Sequence, residues 1–329
     1  MVILKNSVAV LVAAILLQFL MAISTHAKVS KEKVWVDTDA SCSRAFAVDV
    51  DDCWALALLL SDPRFRIAGI STVFGNRDKV SKPEELRRIL KNIGLGETVE
   101  KNVPVFQGAE RPLAERGSND NQAINALNAE LEKGPIIVLA LGPLTNIGAA
   151  ISRRPDLSHR IIKVIAVAGH RRGERFFPGK SRLFHVHDMN FRKDVSAFEV
   201  VLNANVPVTL VPYAAGKQVI IGERELSQME RGNRQSKKLA SLSRPWLSFW
   251  QRYFRSNGFF PFDLVAAAHL TNPDEIKCRQ TMAQIFRRHG LFVQRDTLEV
   301  DHKHGYRITY CDKVDPQLPA KLFRKIDEN

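Results

Sequence analysis

Short β-branched runs alternate with longer amphipathic ones along most of the chain, an alternation that predicts a mostly parallel sheet covered by helices. Strands are expected at 34–36 (VWV), 66–73, 104–106, 135–141, 163–169 and 206–211, with helices over 52–60, 83–90, 121–132, 145–152 and 195–203 between them. The longer strands are apolar throughout, the pattern of strands buried on both faces. In such open α/β sheets a binding site forms outside the carboxyl ends of the strands. Asp37 and Asp39 follow the first strand, Gly75 and Asn76 the second, and Gly142 to Asn146 a later one. Beyond Lys217 the pattern turns basic and aromatic, and 231–263 is expected to be helical and peripheral until Asp263 opens the small apolar helix LVAAAHL. No repeat or Pro/Gly linker divides the body, so residues 28–329 are expected to form one three-layer α/β domain with an open, Rossmann-like sheet.

The first residues follow a different pattern. Val8 to Ile23 is apolar except for one Gln, with Lys5 upstream and Thr-His-Ala ending at Ala27. A basic start, a short apolar centre and a small-residue exit predict a secretory signal peptide over 1–27. The alternative is an uncleaved N-terminal anchor, with the body outside the cytosol in both cases. A periplasmic or secreted protein with no stable membrane insertion after cleavage is therefore expected. The four cysteines, Cys42, Cys53, Cys278 and Cys311, lack compact zinc spacing. An oxidising compartment permits three pairings of the four, and Cys53 within an apolar run also reads as a small buried hydrophobe.

Composition adds one ambiguity. The 329 residues carry 48 Lys/Arg against 35 Asp/Glu, a net charge of +13. Such an excess suits nucleic acid or an anionic surface, yet the bases are dispersed and match no nucleic-acid-binding motif. A small-molecule partner is expected instead, and homo-oligomerisation is left open.

The sharpest chemistry is acidic: DTD at 37–39 and DVDD at 49–52. Converging carboxylates repel one another unless a cation, a basic partner or raised pKa values relieve them. Several oxygen ligands at a strand end suit a hard cation such as Ca²⁺ or Mg²⁺. Helix capping accounts for Asp49 or Asp51 singly, but not for the whole set. Aspartyl phosphatases also carry D-x-D after a first strand, but the expected following Thr and the later phosphate-binding residues are missing.

Taken in order, the motifs resemble those of the inosine–uridine preferring nucleoside hydrolase family. DTD with DD at 51–52, TVFGN at 72–76, PVFQGAERPL at 104–113, LGPLTNIGAAI at 141–151, DMNFRKDVSAFEVVL at 188–202 and FDLVAAAHL at 262–270 carry the resemblance from about Val34 to Leu270. It implies a Ca²⁺ ion held by Asp39, Asp52, the Thr145 carbonyl and Asp263, with Asp39 taking a proton from the attacking water and Asp37 supporting it. Asp51, Asn76, Asp188 and Asn190 would hold a ribosyl substrate. The implied activity is N-glycosidic hydrolysis of a ribonucleoside. Hydrolysis of a modified ribosyl or nucleotide-like compound, or binding without catalysis, are the alternatives.

Three departures qualify the likeness. Eleven residues separate Asp39 from Asp51 where the family motif has three, so eight loop out. This makes Asp49 a rival of Asp51 and gives Arg44 a route toward the pocket. Phe262 stands where many members carry a His that protonates the leaving base. Stacking on Trp246, Trp250, Tyr253, Phe254, Phe259 or Phe260, or an acid among His170, His185, His187 and His269, would have to replace it. Finally, Arg171, Arg172, Arg175, Lys180 and Arg182 form a basic stretch that is either a solvated rim or a contact for a more acidic substrate.

Overall fold

The computed structural model describes residues 31–76, 80–115, 120–180, 185–287 and 296–328; the expected leader and Arg182 fall outside these. The strands are β1 (Glu32–Thr38), β2 (Phe65–Thr72), β3 (Val105–Phe106), β4 (Ile136–Ala140), β5 (Ile161–Ala166), β6 (His170–Arg171), β7 (Val208–Leu210), β8 (Ile221–Gly222), β9 (Gly258–Phe259), β10 (Ile276–Phe286), β11 (Thr297–His302) and β12 (Tyr306–Val314). The helices are α1 (Asp51–Leu60), α2 (Pro83–Asn92), α3 (Gly96–Asn102), α4 (Gln122–Lys133), α5 (Thr145–Arg153), α6 (Met189–Lys193), α7 (Val195–Asn203), α8 (Tyr213–Gly216), α9 (Glu223–Met229), α10 (Arg234–Phe249), α11 (Phe262–Thr271) and α12 (Leu318–Asp327).

Ten strands form one sheet in the order β3-β2-β1-β4-β5-β7-β12-β10-β11-β6. From β3 to β12 every neighbour is parallel, as the apolar runs predict. Beyond β12 the sheet continues through β10, antiparallel to both β12 and β11, to β6 at the far edge, and these antiparallel strands lie outside the expected set. They are only partly buried, so their hydrophobic signal is weaker than that of the central strands.

Successive side chains of a strand point to opposite faces, and the two cores follow from that. Val34 and Val36 of β1 pack with α1, α2, α11 and α12 on one face. Trp35 packs with α4, α5 and α7 on the other. Trp35 stacks on Phe106 with ring centroids 5.6 Å apart and donates to Ser71 Oγ at 2.8 Å.

Strand β1 lies between β2 and β4, so the chain leaves its neighbours in opposite directions there. This is the switch point at which α/β sheets open a crevice at their carboxyl ends. Over that crevice runs α10, continued by a π-helical turn at Trp250–Phe254. Trp246, Phe249, Trp250 and Phe254 follow a helical spacing of three and four residues, which aligns them on one face.

Candidate active site

The carboxylates of the two acidic motifs gather at the crevice, with Asp39, Asp49 and Asp51 lining it and Asp37 and Asp52 fully buried. Residues 37–39 leave the carboxyl end of β1, and Asp51 and Asp52 form the first turn of α1, where the helix dipole favours negative charge. Asp263 arrives from the first turn of α11, and its backbone N–H donates to Asp51 Oδ2 at 3.3 Å. Asp51, Asp52 and Asp263 each offer an oxygen within 4.8 Å of the others, and all three are buried. Three carboxylate oxygens converging in a buried, oxygen-only donor set fit a divalent cation.

Asp39, expected among the converging ligands in place of Asp51, stands outside this trio and is tied to it through Asn76, whose amide donates to Asp39 Oδ1 at 3.2 Å and to Asp52 Oδ2 at 3.1 Å. Thr38 donates its hydroxyl to Asp52. The backbone at Gly75 passes so close that a Cβ there would lie 1.7 Å from Asp39 Oδ2. Asp37 sits deeper, accepting from Ser71 Oγ and from Asn146 Nδ2, the latter at 2.8 Å.

Burial dominates the electrostatics. It pushes Asp52 up to about 7, against the Thr38 hydrogen bond, and pushes Asp51, beside Asp52, to about 6. Asp39 and Asp263 are raised for the same reason, reinforced by the neighbouring carboxylates. Burial also raises Asp37 to about 7, although Ser71 and Asn146 act to lower it. Lys193 opposes the rise of Asp39; its Nζ donates to the Gly75 carbonyl at 2.6 Å.

A cavity of about 260 Å³ lies over the cluster. Asp39, Asp51, Asn76 and Asp263 line its floor, Asp188 and Asn190 one side, and Phe176, Tyr213, Trp246, Trp250, Phe254 and Phe262 the aromatic remainder. Asp188 caps α6, accepting from Phe191 N at 3.1 Å and from Gly169 N at 2.6 Å. Asn190 donates its amide to the Leu141 and Val167 carbonyls at the ends of β4 and β5. Thr145 does not line the cavity, and its hydroxyl donates to Asp194 at 2.6 Å.

Several expectations are corrected. Arg44 turns away from the pocket to Ser241, because the inserted loop folds against α10 rather than over the carboxylates. Cys53 is a disulfide partner of Cys42, not a simple hydrophobe, and Cys278 is joined to Cys311 across β10 and β12. Asp49 lines the cavity and also accepts from Asp51 N at 3.2 Å, so it shapes the start of α1. His269 packs against the Cys278–Cys311 bond and is absent from the cavity lining, whereas His187 borders it. Arg171 is paired with Asp312, while Arg172 and Arg175 are exposed beside a neighbouring cavity. Lys193, Asn146 and Tyr213 were not foreseen in these positions. Only the Asn after Thr145 carried a signal, since it sits in the most complete of the recognised motifs.

The sequence profile described as inosine-uridine preferring nucleoside hydrolase matches residues 34–319. The chain belongs to this family. Among nucleoside hydrolase relatives, Uridine nucleosidase 1 of Arabidopsis thaliana is 24% identical over 272 residues, covering 74% of this chain and 75% of that protein. The pyrimidine-specific ribonucleoside hydrolase RihB of Shigella flexneri is 22% identical, covering 80% and 84%. Two solved nucleoside hydrolase structures share the fold: a plant enzyme (TM-score 0.73, 17% identity, 91% of this chain and all of that one) and a purine-preferring ribonucleoside hydrolase from Gardnerella vaginalis (TM-score 0.70, 18% identity, 90% and 98%). As a nucleoside hydrolase family member the chain is a glycosyl hydrolase of a metal-dependent class, and its acidic cluster is suited to such an ion.

Proposed function

We propose that this protein is a calcium-dependent ribonucleoside hydrolase that releases free base and ribose outside the cytosol. The observation that carries the reading is the meeting of Asp51, Asp52 and Asp263 beneath a cavity also lined by Asp39. Asp39, Asp52, Asp263 and the Thr145 carbonyl would hold the ion. When bound, it supplies the positive charge that lets these carboxylates ionise together and acidifies water nearby.

The chain's own residues then divide the work. Asp39, held by Asn76 and supported from below by Asp37, accepts the proton of the water that attacks C1′. Asp51, Asn76, Asp188 and Asn190 hold ribose hydroxyls, Asn190 through an amide oxygen that carries no hydrogen bond among the described residues. The negative charge of the Asp51 and Asp188 carboxylates favours the oxocarbenium-like transition state over the neutral substrate. Phe262 cannot give a proton, so the base departs within the aromatic wall. That substitution also favours a second reading, a ribosyl-ligand binder without turnover.

Extracytosolic placement is supported by the apolar segment at 8–23 and by the two disulfides, which persist in oxidising compartments. Purified protein assayed with purine and pyrimidine ribonucleosides, with Ca²⁺ or with chelator, should release base and reducing sugar only with the ion. Tight nucleoside binding with no base released would favour the binder, and activity undiminished by chelator would remove the calcium.

A further inference from the structure

The cavity wall carries two hydrogen-bonding groups that the described residues leave without a partner. Trp250 is 5% exposed, and its indole Nε1–H finds no acceptor. The Tyr213 hydroxyl is likewise buried and unpartnered. Buried indole and phenol groups ordinarily find a partner, as Trp35 does at Ser71 (2.8 Å) and Trp54 at Ser243 (2.9 Å). Among the described residues the Tyr310 hydroxyl on β12 is also buried without a partner, away from this cavity, whereas Trp250 and Tyr213 both line it.

Their placement is specific. The Phe176 ring touches Tyr213 at 5.2 Å and Phe262 at 5.4 Å between centroids. Phe260 continues the wall from Phe176, at 5.8 Å, to Trp250, at 5.2 Å. The Trp250 and Tyr213 rings thus belong to one aromatic surface that also contains Phe262, with their polar atoms buried at its edge. An indole can only donate. Burial, with the Glu174 and Asp188 carboxylates nearby, pushes the Tyr213 phenol up, so it too keeps its proton.

We propose that Trp250 Nε1–H and Tyr213 Oη–H are hydrogen-bond donors to the departing heteroaromatic base, supplying the leaving-group assistance that Phe262 cannot. The inference rests on the nucleoside-hydrolysis reading. As the C1′–N bond breaks, its electron pair passes to the base, the water oxygen bonds to C1′, and the water's proton goes to Asp39. Negative charge then spreads over the base's acceptor atoms, so donors facing them bind the transition state more strongly than the neutral nucleoside. On release the base takes a proton from solvent.

The test compares Trp250→Phe and Tyr213→Phe with the parent protein on uridine and inosine and on 4-nitrophenyl riboside, whose leaving group departs as a stabilised anion. Each variant should lose about tenfold to a hundredfold in kcat on the nucleosides and less than about threefold on the aryl riboside. Equal losses on both substrate types would reveal a packing role and overturn the proposal. Unchanged nucleoside rates would do the same, as would a selective loss seen in His187→Asn and in neither of these variants. If the parent protein cleaves no riboside, the hydrolase reading fails separately. Calorimetry with free hypoxanthine then decides the donors: weaker binding by both variants supports them, and equal binding overturns them.

Discussion

Cys42 is disulfide-bonded to Cys53, the residue that follows Asp52. The bond pins the inserted loop against the first turn of α1. At the loop's other side Phe46 lies 5.6 Å from Phe249 and 5.9 Å from Tyr253, ring to ring. The insertion is therefore fastened covalently beside the carboxylates and by packing to the helix that supplies the aromatic wall.

Replacing both cysteines, Cys42→Ser with Cys53→Ser, should cost about 2–3 kcal/mol by freeing the unfolded loop and should also weaken metal binding. Breaking the Cys278–Cys311 bridge should lower stability while leaving metal affinity unchanged, because that pair joins β10 to β12 away from the acidic cluster. Denaturant midpoints and calcium calorimetry separate the two effects.

Gly75→Ala should depress turnover sharply with little change in melting temperature. The new methyl group would occupy the space of the Asp39 carboxylate and push the proton acceptor out of line. Misplacing a reacting group by about 1 Å costs on the order of a hundredfold in rate. A variant with unaltered kcat would remove Asp39 from that role.

Asp52→Asn and Asp263→Asn should each lower calcium affinity and turnover by about a hundredfold or more, since each removes charge from the converging oxygens. Chelation of the parent protein should reproduce the loss, and added Ca²⁺ should reverse it. Asp62→Asn is the useful contrast: Asp62 is bound to Arg64 and Lys325, so this change should affect stability and spare the ion.

His269 gives a pH dependence unrelated to the site. Burial, then Lys163, pushes its imidazole from 6.5 down to about 4. The folded state therefore resists protonation that the unfolded chain accepts. Its contribution is full above pH 6.5 and is lost as pH falls toward 4, about 3 kcal/mol in all. His269→Gln should flatten the denaturation midpoint across that window, and an unchanged slope would show that the ring titrates normally.

Much of this site was legible because its polar residues lie at the ends of strongly apolar strands. DTD follows β1, Asn76 follows β2, and Asp263 opens an almost wholly apolar helix. The residues missed were those whose meaning depends on a distant contact. Lys193 reads as one more base until its Nζ meets the Gly75 carbonyl, and Tyr213 reads as a core aromatic until its hydroxyl proves unpartnered. The antiparallel strands β10, β11 and β12 escaped because, being half-exposed, they lack the continuous apolar run that marks buried ones.

The sequence by itself determined the parallel core, the acidic chemistry at its carboxyl edge and the family, since hydrophobic periodicity and motif order are local properties of the chain. Only the tertiary structure decided which cysteines pair, where the eleven-residue loop goes and which way Arg44 turns. Those outcomes depend on surfaces brought together from distant segments, as when Ser241 meets Arg44 and Phe249 meets Phe46. Burial had the same origin: a row of ordinary aspartates became a cluster with raised pKa values only once the fold withdrew water from it.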